Sequence, residues 1–597
     1  MLTITNADGK RFDLPEGFSI EIEETNPVFN ERGSQSVPVT LPPSPLNKQL
    51  TGFASRLDTA SAPGRLPECT VSDGAAYVRT GHINVDSAGG VSGISINIGF
   101  DNSTVYHEWQ KKKLRDIEFP YTFFQTDDEL RAAVDALLLS KGSSELEERY
   151  AMFPVTVEEP EPAEDGTVYS VQLNSINSDT EYWQERTVRQ MIDNVLTDVT
   201  VPPFYGLTVF MRVWYLLELV FADLGYTMES NPLKNIQELS RLVVINNTGD
   251  ALCTKVIKPE ELMPDCTVED FMKALWVRFG LVYTINPDRR TVRCRLLRDI
   301  LLVSASGCPD FTSRMSSPPE ITYNAPQYIR LSAQTSLPDA GAYSETMDGI
   351  RKATHDMIHL TVKAEKYSLL DTPQLNLVSG RVIVRHSEGN EVELLGTAFT
   401  AYDPQTVGLD ALELSSPDDF VPTISYSRDD QNPRFLVGAR HFHSEINGIP
   451  EYLRSEPECP LSFMFALGSK GYTIPYCMPL EHDKYRADYV SSEHRLSLLF
   501  DTPDGLFERF WSSYDRILRH DNRSVECEAL FTKKDLRQID MLQPVKIHGV
   551  LCLIDTLTYS LPAGNIVKVK MKLRPIQTMG TFDLVAEQKV DPLEWAT

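Results

Sequence analysis

Long uncharged apolar runs are missing from this 597-residue chain, and so is any excess of positive charge. The most apolar stretch, residues 207–224, holds Arg212, Glu218 and Asp223. Charges are costly at membrane depth, so the stretch reads as a buried helix and not as a span. The balance of 57 Lys and Arg against 84 Asp and Glu leaves a formal charge of -27, which argues against a broad basic face for sequence-independent binding to phosphate backbones. Cysteine pairs in C-x-x-C spacing are also lacking. The nine cysteines, at positions 69, 253, 266, 294, 308, 459, 477, 527 and 552, stand singly, an odd and dispersed set that reads as reduced thiols used mostly as small core residues. The opening MLTITNADGKRFDLPEGF has no basic segment followed by an apolar one, so no secretory signal is expected. There is no G-x-x-x-x-G-K-[ST] loop, no G-x-G-x-x-G after a strand and no G-x-S-x-G elbow, which removes the common nucleotide sites and the hydrolase elbow.

What is present is an ordinary globular composition, 42% hydrophobic and 24% charged, in a chain long enough for about three to five domains. Phe18, Ile20 and Ile22 alternate with Ser19, Glu21 and Glu23, and Ile94, Ile96 and Ile98 alternate with Ser95 and Asn97. Both patterns are the period-two signature of half-buried strands. The Pro-, Asn- and Ser-rich stretch between them suits turns and edge strands. Residues 127–150 carry Leu130, Ala133, Val134, Leu137 and Leu138 at helical spacing, and the acidic, Pro-rich segment 158–166 reads as a solvated loop.

Residues 207–225 predict a helix closed by Gly225. A second helix opens at Thr267, with Glu269 and Asp270 in its first turn, and ends at Gly280; its stripe is Phe271, Ala274, Leu275 and Phe279. Leu281, Tyr283 and Ile285 then alternate as a strand, and a turn at Asn286-Pro287-Asp288 leads to a second strand over 291–297. Residues 505–518 place Leu506, Phe510, Tyr514 and Leu518 on one helical face beside Trp511. Strands follow over 525–531 and 544–559, the latter a pair joined at His548-Gly549. In the last strand Val567, Val569, Met571 and Leu573 alternate with Lys568, Lys570, Lys572 and Arg574, one face core and the other basic and wet.

These readings divide the chain into a β domain (1–115), a mixed insertion with the acidic loop (116–205), a helix plus helix-hairpin unit (206–307), a turn-rich β region (308–500) and a helix-plus-meander domain (501–597). The expected class is α+β, β-rich and multi-domain.

Two histidine pairs invite a metal reading. His355 and His359 in HDMIH lack the Glu of a zinc helix, and the following IHLTVKAEKYSL favours a strand, where the two rings would stand about 13 Å apart, too far for one ion. His441 and His443 would lie about 7 Å apart on one strand face and need ligands that the sequence does not identify. Strand, core or interface histidines are the plainer reading of both. The sequons at Asn102, Asn246 and Asn522 mean little without a secretory signal. No catalytic, cofactor-binding or metal residue is therefore assigned, no cofactor is expected, and the chain reads as a non-enzyme.

Three segments are similar, in order and spacing, to the tail-hub or baseplate (tail-tip) proteins of phages and prophages of Bacteroidetes hosts. They are FSIEIEETNPVFNERGSQSVPVTLPPSPLNKQL (18–50), the pair GLTVFMRVWYLLELVFADLGYTM and TVEDFMKALWVRFGLVYTINPDRRTVRCRLLRDI, and GLFERFWSSYDRIL with the downstream ALFTKKDLRQIDMLQPVKIHGVLCLIDTLTYSL. The resemblance implies a tail-hub-like fold with two barrel-like β domains carrying helical and mixed insertions. It also implies a homotrimer around the DNA channel that joins the tail tube to the tip, with 1–115 and 501–597 as ring-forming elements. Implied neighbours are a distal tail or tail tube protein, a tape-measure protein and tip or fibre proteins. DNA would pass through without specific binding, and the virion protein would be made in the host cytoplasm without a membrane anchor. No catalytic residue is carried over.

Two other readings are open. A receptor- or carbohydrate-binding tail protein would place an aromatic cluster in 308–500, where Tyr472, Tyr476 and Tyr485 are candidates against plain strand packing. An envelope-polymer hydrolase would need two facing carboxylates.

Overall fold

The computed structural model describes residues 2–30, 33–58, 68–139, 145–158, 170–174, 182–192, 195–325, 327–334, 374–376, 381–385, 391–394, 410–419, 436–439, 459–469, 472–476, 494, 496–498, 500, 505–520 and 522–576. In chain order its principal elements begin with β1 (Leu2–Asn6), β2 (Ile20–Thr25), β3 (Gln35–Ser36), β4 (Val39–Leu41), β5 (Glu68–Asp73), β6 (Val78–Gly89) and β7 (Gly93–Gly99). There follow α1 (Val213–Asp223), β8 (Thr227–Ser230), α2 (Val268–Phe279), β9 (Leu281–Asn286), β10 (Thr291–Leu296), β11 (Glu320–Tyr323), β12 (Gln327–Gln334) and β13 (Asp410–Asp419). The last are α3 (Ser512–His520), β14 (Arg523–Thr532), β15 (Val545–Ile547), β16 (Val550–Leu561) and β17 (Ile566–Pro575).

The two ends of the chain build one 12-stranded sheet, in the order β1-β5-β6-β7-β3-β2-β16-β17-β14-β11, with β15 on β16 and β4 on β7. The junction is the antiparallel pairing of β2 with β16, from Ile20 opposite Leu561 to Thr25 opposite Thr556. The period-two patterns set which face turns inward. Ile20 and Ile22, Ile94, Ile96 and Ile98, Leu557 and Leu561, and Val567, Val569, Met571 and Leu573 are all buried in a single core. Burying each such side chain contributes roughly 1.5–3 kcal/mol.

The sheet rolls over that core. Tyr77, beside β5 and β6, meets Tyr559 of β16 hydroxyl to hydroxyl at 2.8 Å, and Asp73 at the end of β5 pairs with Lys533 just after β14 at 2.6 Å. Among the described residues β1 and β11, the end strands, do not pair. The β-rich α+β class read from the sequence is the class found, with the N- and C-terminal β segments sharing one rolled sheet.

A second core belongs to the helical part. Thr267 caps α2: its hydroxyl accepts from the Asp270 amide at 3.1 Å and the Asp270 carboxylate accepts from the Thr267 amide at 3.1 Å, a capping box with aspartate in the usual glutamate place. Gly280 takes the left-handed conformation (φ 64) that stops the helix and turns the chain into β9. β9 and β10 form the expected hairpin, with β8 parallel to β10.

The helix expected over 207–225 is shorter than its apolar run. α1 begins at Val213, whereas Phe210–Met211 pairs as a strand with Tyr150–Ala151. The backbone ahead of it is held by side chains: the Thr208 amide donates to Asn174 Oδ1 (2.8 Å) and Asn246 Nδ2 donates to the Val209 carbonyl (2.9 Å). Those bonds satisfy the buried polar groups without a helix. Gly225 (φ 77) closes α1 as expected. The helix expected over 505–518 also differs, because Phe507–Trp511 is wound as a π-turn before α3. The wider turn lets Leu506, Phe507, Phe510 and Trp511 all bury.

The region read as 127–150 helix is helical over Asp127–Leu139 and Glu145–Arg149. At the C-terminal end, His548 (φ 49) and Gly549 (φ 83) make the tight turn between β15 and β16.

Candidate functional site

The rolled sheet offers an outer face, an edge at β11 that no further strand covers among the described residues, and a charged seam. On the outer face, Lys572 of β17 stands opposite Glu526 of β14, Lys570 opposite Glu528 and Lys568 opposite Leu530, and Lys568 Nζ reaches Glu528 at 2.7 Å. The lysine row therefore forms a ladder with acids on the next strand, each pair worth about 0.2–1 kcal/mol. At the edge all four residues of β11 are exposed, with Ile321 45% and Tyr323 76% exposed. Unpaired strand edges are templates for another chain.

The seam lies where β2, β6 and β7 meet the β9–β10 hairpin and residues 536–541, around a crevice of about 260 Å³. Its floor is a network laid down by three strands. Arg79 of β6 pairs with Glu24 of β2 at 2.6 Å and with Asp101 just after β7 at 2.5 Å, and lies 4.5 Å over the Phe100 ring. Glu24 also accepts from the Tyr559 hydroxyl at 2.6 Å. Burial pulls the Arg79 guanidinium down, but Asp101 and Glu24 outweigh it and hold it well above its ordinary pKa. Burial, then the Glu24 charge, push Tyr559 well up. The network thus sets one guanidinium between two carboxyl groups, and burial pushes the Tyr77 hydroxyl up as well.

The walls are further ion pairs. Arg293 reaches Glu229 at 3.0 Å and Asp540 at 3.5 Å, and Arg537 pairs with Asp288 at the hairpin tip. The Thr80 amide donates to Asp288 at 3.2 Å. Hydrogen bonds from Thr291 and Arg293 lower the pKa of Glu229.

The sequence candidates fall elsewhere. His355, His359, His441, His443, Tyr485 and Cys477 lie outside the described residues, as does the acidic loop beyond Glu158. Tyr472 and Tyr476 sit in one strand, Tyr472–Tyr476. Among the described residues no group of three His, Cys, Asp or Glu side chains could hold a metal ion, and no helix is long and apolar enough to cross a membrane. Six of the eight described cysteines are buried. Burial pushes the Cys69 and Cys253 thiols up to about 12 and Cys527 to about 11, which keeps them un-ionised and unreactive.

Two features have no signal in the sequence. The first is the Arg79 network, whose members are far apart in the chain. The second is His494, buried against the Phe465 ring with centroids 4.6 Å apart. Burial first, then the Arg241 and Arg509 charges, lower its pKa from 6.5 to about 4. The folded state therefore resists a proton that the unfolded state takes up. Stability present above pH 6.5 is lost as pH falls toward 4, by an amount on the order of 3 kcal/mol. His494→Phe should flatten the slope of denaturant stability against pH across that window. An unchanged slope would show that His494 does not set it.

No family model matches this chain, and no curated protein matches it. Among solved structures it is similar to the 43 kDa tail protein of prophage MuSo2 from Shewanella oneidensis, with 8% identity and a TM-score of 0.27 over 96% of this chain and 98% of that one.

Proposed function

We propose that the chain is a structural, non-enzymatic protein of a phage tail tip or baseplate, a hub that oligomerises, as a homotrimer, around the DNA channel. The observation that carries the reading is the pairing of β2 with β16. The first and last of the three hub-like segments, 18–50 and 505–518 with 529–561, are remote in sequence, yet they supply adjacent strands of one sheet. Segments that resemble one family at both ends of a chain gain weight when they fold into one element. The exposed edge at β11 and the charged outer face provide surfaces on which copies and neighbours could pair.

In this reading the partners are a distal tail or tail tube protein, a tape-measure protein and tip or fibre proteins, and the protein resides in the virion. The charge of -27 would suit a channel wall that repels the DNA backbone and limits adsorption. Native mass measurement of the purified protein tests the proposal. A mass of three chains at micromolar concentration is the expected result, and a monomer that persists at concentrations ten times higher, with no ring seen in isolated tails, would sink it.

A further inference from the structure

The 12-stranded sheet ends differently on its two sides. At the N-terminal end the residues after β1 fold back over it: the Phe12 amide donates to the Ile4 carbonyl and the Asn6 amide to the Lys10 carbonyl, each at 2.9 Å. At the other end no strand among the described residues covers β11. The ladder fixes where its remaining backbone groups point. The Asn324 amide donates to the Asn522 carbonyl at 2.8 Å, and Thr322 and Glu320 stand opposite Ser524 and Glu526 in the same register. Hydrogen-bonded and non-hydrogen-bonded pairs alternate along an antiparallel ladder. Glu320 and Thr322 therefore turn their backbone groups toward β14, and Ile321 and Tyr323 turn theirs away from the sheet.

The side chains leave this edge unfinished as well. Ile321 stands opposite Val525, which is buried in the core of the sheet, and residues directly opposite each other share a face. Ile321 and Tyr323 thus lie on the core side, yet both are exposed. The apolar face runs past its own cover, and one more strand would extend it.

We propose that β11 pairs antiparallel with β11 of a second copy of this chain, about a two-fold axis through Thr322. Because β1 is already engaged at Ile4 and Asn6, this sheet does not add head to tail; its uncovered end meets its like, which is an isologous contact. The edge is self-complementary in that register. Ile321 faces Tyr323 of the second copy and Tyr323 faces its Ile321, as pairs that exchange both backbone bonds and set an aromatic ring against a β-branched side chain. Glu320 faces Asn324, so no carboxylate opposes another in spite of the formal charge of -27. Pro319, the next position that turns outward, has no N–H and ends the ladder there. The contact does not depend on the hub reading, since a two-fold pair joins two single chains or two facing trimers alike.

Thr322→Cys tests both the contact and its register. At a non-hydrogen-bonded pair on the axis the two Cα atoms stand about 4.5 Å apart, within the range that a disulfide spans. The full chain is held at about 100 µM, because a contact well below the usual interface size is weak. Oxidised glutathione takes up the two thiol hydrogens and leaves as two molecules of glutathione, and the covalent dimer is read on a non-reducing gel beside the parent. Glu320→Cys is the control, exposed on the same strand, with its two copies roughly 14 Å apart in this register. Thr322→Cys should cross-link at least about tenfold faster than Glu320→Cys or the parent. Adding Tyr323→Pro should abolish the cross-link, because it removes an outward N–H, and should leave the melting temperature within about 2 °C, because that N–H makes no bond to β14. Equal rates at the two positions, no dimer from Thr322→Cys, or a cross-link that survives Tyr323→Pro would overturn the proposal and leave the edge to other residues of the same chain or to a different protein.

Discussion

Replacing Arg278 with alanine is expected to lower the unfolding free energy by about 3–5 kcal/mol, read as a fall in the denaturant midpoint. Arg278 lies in the last turn of α2 and its partner Asp418 near the end of β13; their side chains are 2% and 1% exposed. The guanidinium reaches Asp418 Oδ2 at 3.0 Å, donates to the Leu498 carbonyl at 3.0 Å and lies 4.7 Å over the Phe500 ring. Removing it strands a buried carboxylate whose only other partner among the described residues is the Ser416 hydroxyl. Asp418→Ala should cost about as much for the mirror-image reason. The pair Arg278→Met with Asp418→Leu should recover most of the loss, since replacing both members of a buried ion pair with apolar groups is often near neutral. A loss under about 1 kcal/mol in Arg278→Ala would mean that water reaches the site.

Trp511→Ala is expected to be of similar size, about 3–5 kcal/mol, through the cavity it leaves. Trp511 is fully buried in the π-turn ahead of α3. Its indole packs edge-on to Trp276 of α2 at 5.1 Å between centroids, and its Nε1 donates to the Val277 carbonyl at 3.0 Å. Trp511→Phe separates the two contributions. It keeps most of the apolar volume but orphans the Val277 carbonyl, so a loss of about 1–3 kcal/mol is expected. Because Arg278 and Trp511 both hold α2, the double variant should be non-additive. Thermal and denaturant melts of the parent, the single variants and the double variant check both statements.

Local order was legible in the sequence wherever one period ran without interruption. Val567, Val569, Met571 and Leu573 announce both β17 and its inward face, and Thr267, Asp270 and Gly280 fix both ends of α2. Each signal is local, because capping and alternation act over a few residues. The apolar run at 207–212 misled, because hydrophobicity marks burial and not backbone form; side-chain bonds from Asn174 and Asn246 decided the matter.

The lysine row was read as a bare basic face because Glu526 and Glu528 belong to a different strand. Arg278 looks in sequence like an ordinary cation in a last turn, and nothing near it foretells Asp418. The seam was illegible for the same reason. Glu24, Arg79, Asp101, Asp288 and Asp540 meet only after the strands that carry them are assembled, and no alternation or cap encodes that meeting.

The pairing of β2 with β16 also governs how the protein must be made. Roughly 500 residues separate the two strands, about 25–100 s of synthesis at typical rates. During that interval β2 lacks its β16 neighbour, and the apolar row of Ile20 and Ile22 has only part of its eventual cover. The half-sheet that emerges first is thus an unpaired apolar edge waiting on the ribosome, the kind of surface that aggregates or recruits a holdase. Chains truncated ahead of β14 should therefore accumulate as insoluble material, whatever the stability of the finished fold.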